Sequence, residues 1–89
     1  MKLRFNFTIM DMGDEFAAVP VDEDAAKFHG MLKLNAVSAD ILEQLKEETT
    51  PEKVHAYLKK KYSDSTDDEI GHTLVNFLNQ LVHEGLLIY

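Results

Sequence analysis

Four histidines, sixteen carboxylate side chains and no cysteine set the chemistry open to this chain of 89 residues. His72 and His83 fall on nearly the same face of one helical segment, but about 16 Å apart along its axis, too far to share an ion. His29 and His55 stand apart from them, and no His-x3-His pair occurs. The histidines therefore read as surface or partly packed side chains, and no metal site is expected. The carboxylates gather at helix starts and in one acidic stretch (Asp22-Glu23-Asp24), where capping and solvation explain them better than paired acid–base work. Ser38, Ser63 and Ser65 lack the Gly-x-Ser-x-Gly frame of a nucleophile elbow, and the four glycines form no phosphate-cradling loop. Without cysteine there is no disulfide framework, thiolate metal site or thiol nucleophile. The reading is of a chain with no catalytic residues and no cofactor.

Charge narrows the partners. The formal net charge is −7, and Lys59-Lys60-Lys61 is the main basic cluster, suited to the solvated C-terminal end of a helix. From Tyr62 onward there is no Lys or Arg. No apolar run reaches the roughly 20 residues of a membrane span, and Met1 to Thr8 does not resemble a signal peptide. A cytoplasmic, single-domain protein over residues 1–89 is expected, with neither a membrane nor a nucleic acid as partner.

The elements that position these residues follow from periodicity. Phe5, Phe7 and Ile9 alternate with Asn6, Thr8 and Met10, which predicts a half-buried strand. Gly13 supplies the turn into a second strand over Glu15 to Val19, ended by Pro20. Val21 to Lys27 reads as either a loop or a single helical turn. Gly30 permits a bend, and Met31 to Leu34 form a third strand, with Leu32 and Leu34 on one side and Met31 and Lys33 on the other. Asn35 caps a first helix over Ala36 to Lys46, with Val37, Ile41, Leu42 and Leu45 on its apolar face. Thr50-Pro51 opens a second helix carrying Val54, Tyr57, Leu58 and Tyr62. Thr66 to Glu69 has capping-box spacing and opens a third helix, whose stripe is Ile70, Leu74, Phe77, Leu78 and Leu81. Gly85 suits its left-handed end, with Leu86 folding back and Leu87 to Tyr89 packed down.

Strands first and helices after argue an α+β fold: a three-stranded N-terminal antiparallel sheet packed on a three-helix, winged helix-turn-helix-like unit. A helix-turn-helix raises transcriptional regulation as an alternative, but the helix that would enter the major groove carries Asp67, Asp68, Glu69 and Glu84 in place of cations. An open sheet edge is the other resource, since an added strand can pair with it. The same edge could serve a second copy of the chain in a structural dimer. The third strand leads straight into the helices and is the edge best placed to have a groove beside it.

The segment Phe28-His29-Gly30-Met31-Leu32-Lys33-Leu34-Asn35, then Ile41, then Phe77-Leu78-x-x-Leu81-x-x-x-Gly85-Leu86-Leu87, resembles the small PqqD-like proteins, the RiPP recognition elements. The likeness runs from about Phe7 to Ile88 and includes Val19-Pro20 and the Thr-Thr-Pro-Glu helix start. It implies a winged-helix-like fold that does not bind DNA and a non-catalytic peptide chaperone, as in biosynthesis of the cofactor PQQ. The leader of a ribosomally made precursor peptide would add as a strand to the third strand, in a groove shared with the third helix. It would there be presented to a modifying enzyme, often of the radical S-adenosylmethionine type. By position, the peptide-binding residues would be Met31, Leu32, Lys33 and Leu34 on the strand, and Thr73, Asn76, Phe77 and Gln80 on the helix. His29 stands where the family often has Asn, and Thr73 where it often has an acid. Leu32, Leu34, Phe77 and Leu81 suit a plain core equally well. A monomer or a homodimer is compatible with all of this.

Overall fold

The computed structural model describes residues 1–21 and 31–88. Its elements run β1 (Lys2–Leu3), β2 (Phe7–Asp11), β3 (Phe16–Pro20), β4 (Leu32–Leu34), α1 (Ala36–Gln44), α2 (Pro51–Lys61), α3 (Asp67–His83) and β5 (Leu87–Ile88). The α+β class and the three-stranded antiparallel sheet stand, in the order β2-β3-β4. The strand expected third is thus β4, at one edge, and it begins at Leu32 rather than Met31. The expectations for residues 22–30, among them the bend at Gly30 and the position of His29, lie outside the described residues.

The hairpin forms because its alternation suits a sheet with one buried face. Phe7 is buried and Ile9 half-buried, while Thr8 and Met10 are exposed. Gly13, at φ +97°, makes the turn, and its N–H donates to the Asp11 carboxylate at 2.9 Å. The second strand extends one residue further than expected, through Pro20 opposite Phe7. Proline is tolerated there because its missing N–H would point away from β2, toward the β4 side and beyond the described end of that strand.

Each helix starts on the cap that its sequence supplies. Asn35 accepts from the Ser38 N–H at 2.8 Å, and Thr50 from the Lys53 N–H at 3.2 Å, with Pro51 behind it. Thr66 and Glu69 close a reciprocal capping box at 3.1 Å in both directions. The first helix stops at Gln44, two residues short of expectation. Its last turn tightens instead: the Leu45 N–H is shared between Ile41 and Leu42, and the Lys46 N–H bonds Glu43. The third helix ends in a Schellman motif. Gly85 takes φ +75°, the Leu86 N–H reaches the Leu81 carbonyl at 2.8 Å, and the Gly85 N–H reaches that of Val82 at 3.0 Å. Leu86 is thereby folded back into the core beside Leu81.

One apolar cluster holds the layers together. Ile41, Leu42 and Leu45 of the first helical segment meet Val54 and Leu58 of the second and Ile70, Leu74, Phe77, Leu78 and Leu81 of the third. Phe7, Ala18 and Leu34 join from the sheet. Two short strands went unforeseen: β1 pairs antiparallel with β5, Lys2 opposite Ile88 and Leu3 opposite Leu87. This clasp buries Leu3 and Leu87, and the Leu3 N–H bonds the Leu45 carbonyl at 3.0 Å, tying the start of the chain to the end of α1.

Candidate functional site

The alternation of an antiparallel ladder decides which backbone groups of β4 are free. The Met12 N–H bonds the Glu15 carbonyl at 2.8 Å and the Val21 N–H bonds that of Asn6 at 3.1 Å. These two pairs flank the β2–β3 register, so within it Thr8/Val19 and Met10/Ala17 are hydrogen-bonded pairs. Phe16, Ala18 and Pro20 turn their peptide groups the other way, toward β4. Phe16–Leu34 and Ala18–Leu32 are then the bonded pairs of β3 and β4, and Ala17–Lys33 is the pair without bonds. Both the N–H and the C=O of Lys33 point outward from the sheet at its open edge.

Side chains divide by face as alternation requires. Leu34 is buried and Leu32 half-buried, both against the apolar cluster, whereas Met31 (55% exposed) and Lys33 lie on the outer face. On α3, Phe77 is buried in the same cluster, and Thr73, Asn76 and Gln80 are exposed on the flank beside it. Thr73 lines a cavity of about 110 Å³ with Val37, Leu58, Tyr62, Ser65, Glu69 and Ile70. Val37 belongs to the first turn of α1, which follows β4 directly, so the Thr73 end of this flank lies near the start of α1. Of the expected site residues, the structure brings Leu32, Leu34 and Phe77 into one cluster and places Thr73, Asn76 and Gln80 along one exposed helix flank. It sets Met31 and Lys33 on the other face of the sheet. None of the three described cavities has a β4 residue in its lining.

A polar cluster that sequence reasoning missed joins α1 to the end of α2. The Tyr62 hydroxyl donates to Asp40 Oδ2, and Lys61 Nζ reaches Asp40 Oδ1 at 2.9 Å. Burial pushes the Tyr62 phenol above its ordinary pKa, and the hydrogen bond to Asp40 adds to this. Lys61 is raised by its hydrogen bond to Asp40. These residues rim a second hollow, floored by Ile9, Phe16, Ala36 and Ala39. No sequence signal links Asp40 to Tyr62, since the contact crosses two helices.

The remaining surface of α3 is acidic at its start. Asp67, Asp68 and Glu69 occupy the first turn, and the Thr66 backbone and hydroxyl hold the Glu69 carboxyl below the usual range. Such a helix repels a phosphate backbone. Among the described residues no group of three or more metal-ligating side chains gathers, and no helix is long and apolar enough to cross a membrane.

Compared with models of protein families, residues 10–87 match the one described as Coenzyme PQQ synthesis protein D (PqqD). A solved structure described as "TbiB1 in Complex with the TbiA(beta) Leader Peptide" has a similar fold, with TM-score 0.72 and 22% sequence identity, covering 100% of this chain and 98% of that one. At that identity the likeness concerns the fold. A comparison with curated proteins finds no match.

Proposed function

Because the chain belongs to the PqqD family, we propose that it binds the leader segment of a ribosomally made precursor peptide as an added strand on β4 and presents it to a modifying enzyme. The observation that carries this reading is the outward-facing peptide group of Lys33, on an edge backed by the half-buried Leu32 and the buried Leu34. The similar fold described in complex with a leader peptide supports it. The protein itself performs no chemistry in this scheme. The modifying enzyme is of the radical S-adenosylmethionine type, and the encounter takes place in the cytoplasm.

Magnitudes assign the work. Two ladder hydrogen bonds to Lys33 contribute about 2 kcal/mol together. Micromolar binding needs about 8 kcal/mol. The difference of about 6 kcal/mol corresponds to roughly 240 Å² of apolar surface at ~25 cal/mol per Å², and more once the cost of association is included. The backbone of β4 therefore sets register and direction. Affinity comes from leader side chains buried along Leu32, Phe77 and the Thr73–Asn76–Gln80 flank of α3, with Leu34 underneath.

Strand addition organises a disordered leader in a defined orientation, leaving the modifiable part of the precursor to extend from the domain. The acidic start of α3 disfavours the alternative of DNA binding. The test is a titration of fluorescently labelled precursor leader, followed by anisotropy, against the wild-type protein and Lys33→Pro. Saturable binding that weakens about tenfold in the proline variant is expected from the loss of one edge donor and the altered strand. Absence of binding by the wild type, or equal binding by a folded Lys33→Pro protein, would refute strand addition.

A further inference from the structure

Lys33 is the one cation of the three-stranded sheet, whose strands read Phe-Thr-Ile-Met-Asp, Phe-Ala-Ala-Val-Pro and Leu-Lys-Leu. Its side chain stands on the outer face, in a row with Met10 and Ala17 across the sheet. Ala17, its neighbour in that row on the central strand, offers only a methyl group. Glu15, the diagonal neighbour toward the hairpin turn, makes no ion pair with it, and Lys33 enters none among the described residues. The next position in that row belongs to whatever strand is added to β4. On an antiparallel strand, the residue hydrogen-bonded to Lys33 sends its side chain to the same face, directly beside the ammonium group.

Resting on the strand-addition reading above, we propose that the Lys33 side chain is a specificity determinant that selects an acidic residue at the leader position directly opposite it. The leader segment then carries an apolar–acidic–apolar pattern. Its two apolar residues fall on the Leu32 and Leu34 face, and its Asp or Glu falls on the Lys33 face. The same ammonium group opposes self-association through this edge, because two β4 strands paired about Lys33 would set like charges face to face. One side chain thus favours an acid-bearing peptide over a second copy of the chain. The preference is local and runs against the overall charge of −7, which attracts basic peptides at long range.

The experiment pans a displayed library of random decapeptides against the wild-type protein and against Lys33→Glu, which keeps the edge backbone intact. Wild type is expected to enrich Asp or Glu at one position between two apolar residues, and Lys33→Glu to enrich Lys or Arg at that position. In a single enriched peptide, exchanging the acid for Lys weakens binding to wild type about two- to fivefold and strengthens binding to Lys33→Glu by a similar factor. Peptides that lose affinity for Lys33→Pro yet show the same residues with Lys33 and with Lys33→Glu overturn this inference and leave strand addition standing. A library that enriches nothing, or peptides indifferent to Lys33→Pro, overturn both.

Discussion

Lys33 lies opposite Ala17 across the β3–β4 pair without exchanging a ladder hydrogen bond with it. That relationship separates two substitutions one residue apart. Lys33→Pro removes a donor that no other part of the sheet uses, so the fold is retained, with stability changed by less than about 1 kcal/mol. Leu32→Pro removes a ladder bond to Ala18 and a half-buried side chain, and costs about 2–3 kcal/mol. Urea unfolding of the two variants measures the contrast; equal losses would show that the ladder phase is assigned to the wrong residues.

Leu58 is fully buried and lines the same cavity as Thr73. Leu58→Ala enlarges that cavity and is expected to cost about 2–5 kcal/mol, seen as a lower urea midpoint. A stability loss below 1 kcal/mol would mean that α2 packs less tightly on its neighbours than described.

Thr66→Ala removes one half of the capping box of α3 and should cost about 1 kcal/mol. The partner carboxylate adds a pH dependence. Its folded pKa is depressed by the Thr66 hydrogen bonds, so its contribution to stability is present above the unfolded pKa of Glu and is lost as pH falls through the folded value. Thermal melts from pH 7 to pH 3 should show the difference between wild type and Thr66→Ala narrowing at the acid end. A difference that stays constant would show that Glu69 does not report on the box.

Tyr62→Phe deletes the hydroxyl that donates to Asp40 and is expected to cost about 1 kcal/mol. Here the folded pKa is raised, which for a phenol means that the neutral form is favoured in the native state. The contribution is therefore complete below the unfolded pKa of Tyr and is lost as pH rises through the folded one. Ultraviolet titration of the tyrosines should show one late-ionising group in the wild type that is missing from Tyr62→Phe. The same late titration in both proteins would assign the shift to another tyrosine.

Local chemistry made much of this architecture readable. Asn35, Thr50 and Thr66 each announced a helix start, and Gly85 with Leu86 announced an end, because a cap is a contact between residues three to five apart. Phe7 and Ile9, like Leu32 and Leu34, declared their buried side by alternation. What the sequence hid was long-range. Lys2 and Leu3 have no pattern of their own, and their strand exists only because Leu87 and Ile88 arrive beside it. Pro20 was expected to end its strand, yet the phase of the ladder lets it remain as the last residue. That phase is a property of two strands together, so the outward peptide group of Lys33 was likewise invisible in the residue types. For the site, alternation and helical spacing marked Leu32, Leu34 and Phe77 as inward-facing, while their grouping came from the family resemblance. The Asp40–Lys61 ion pair, and the Tyr62 hydroxyl that donates to Asp40, could not be read in this way, since the three meet only when α1 and α2 pack.

The clasp between β1 and β5 also sets how the domain responds to force. Lys2 and Ile88 are direct partners at the outer end of an antiparallel pair. Tension applied to these two residues in opposite directions loads the bonds one after another rather than together, so the clasp unzips before the helices are stressed. An unfoldase pulling on the first strand would meet resistance already at Met1, which is buried and exchanges backbone bonds with Thr49 at 2.8 and 3.0 Å, and then where Leu3 is tied to Leu45 and Arg4 to Leu86.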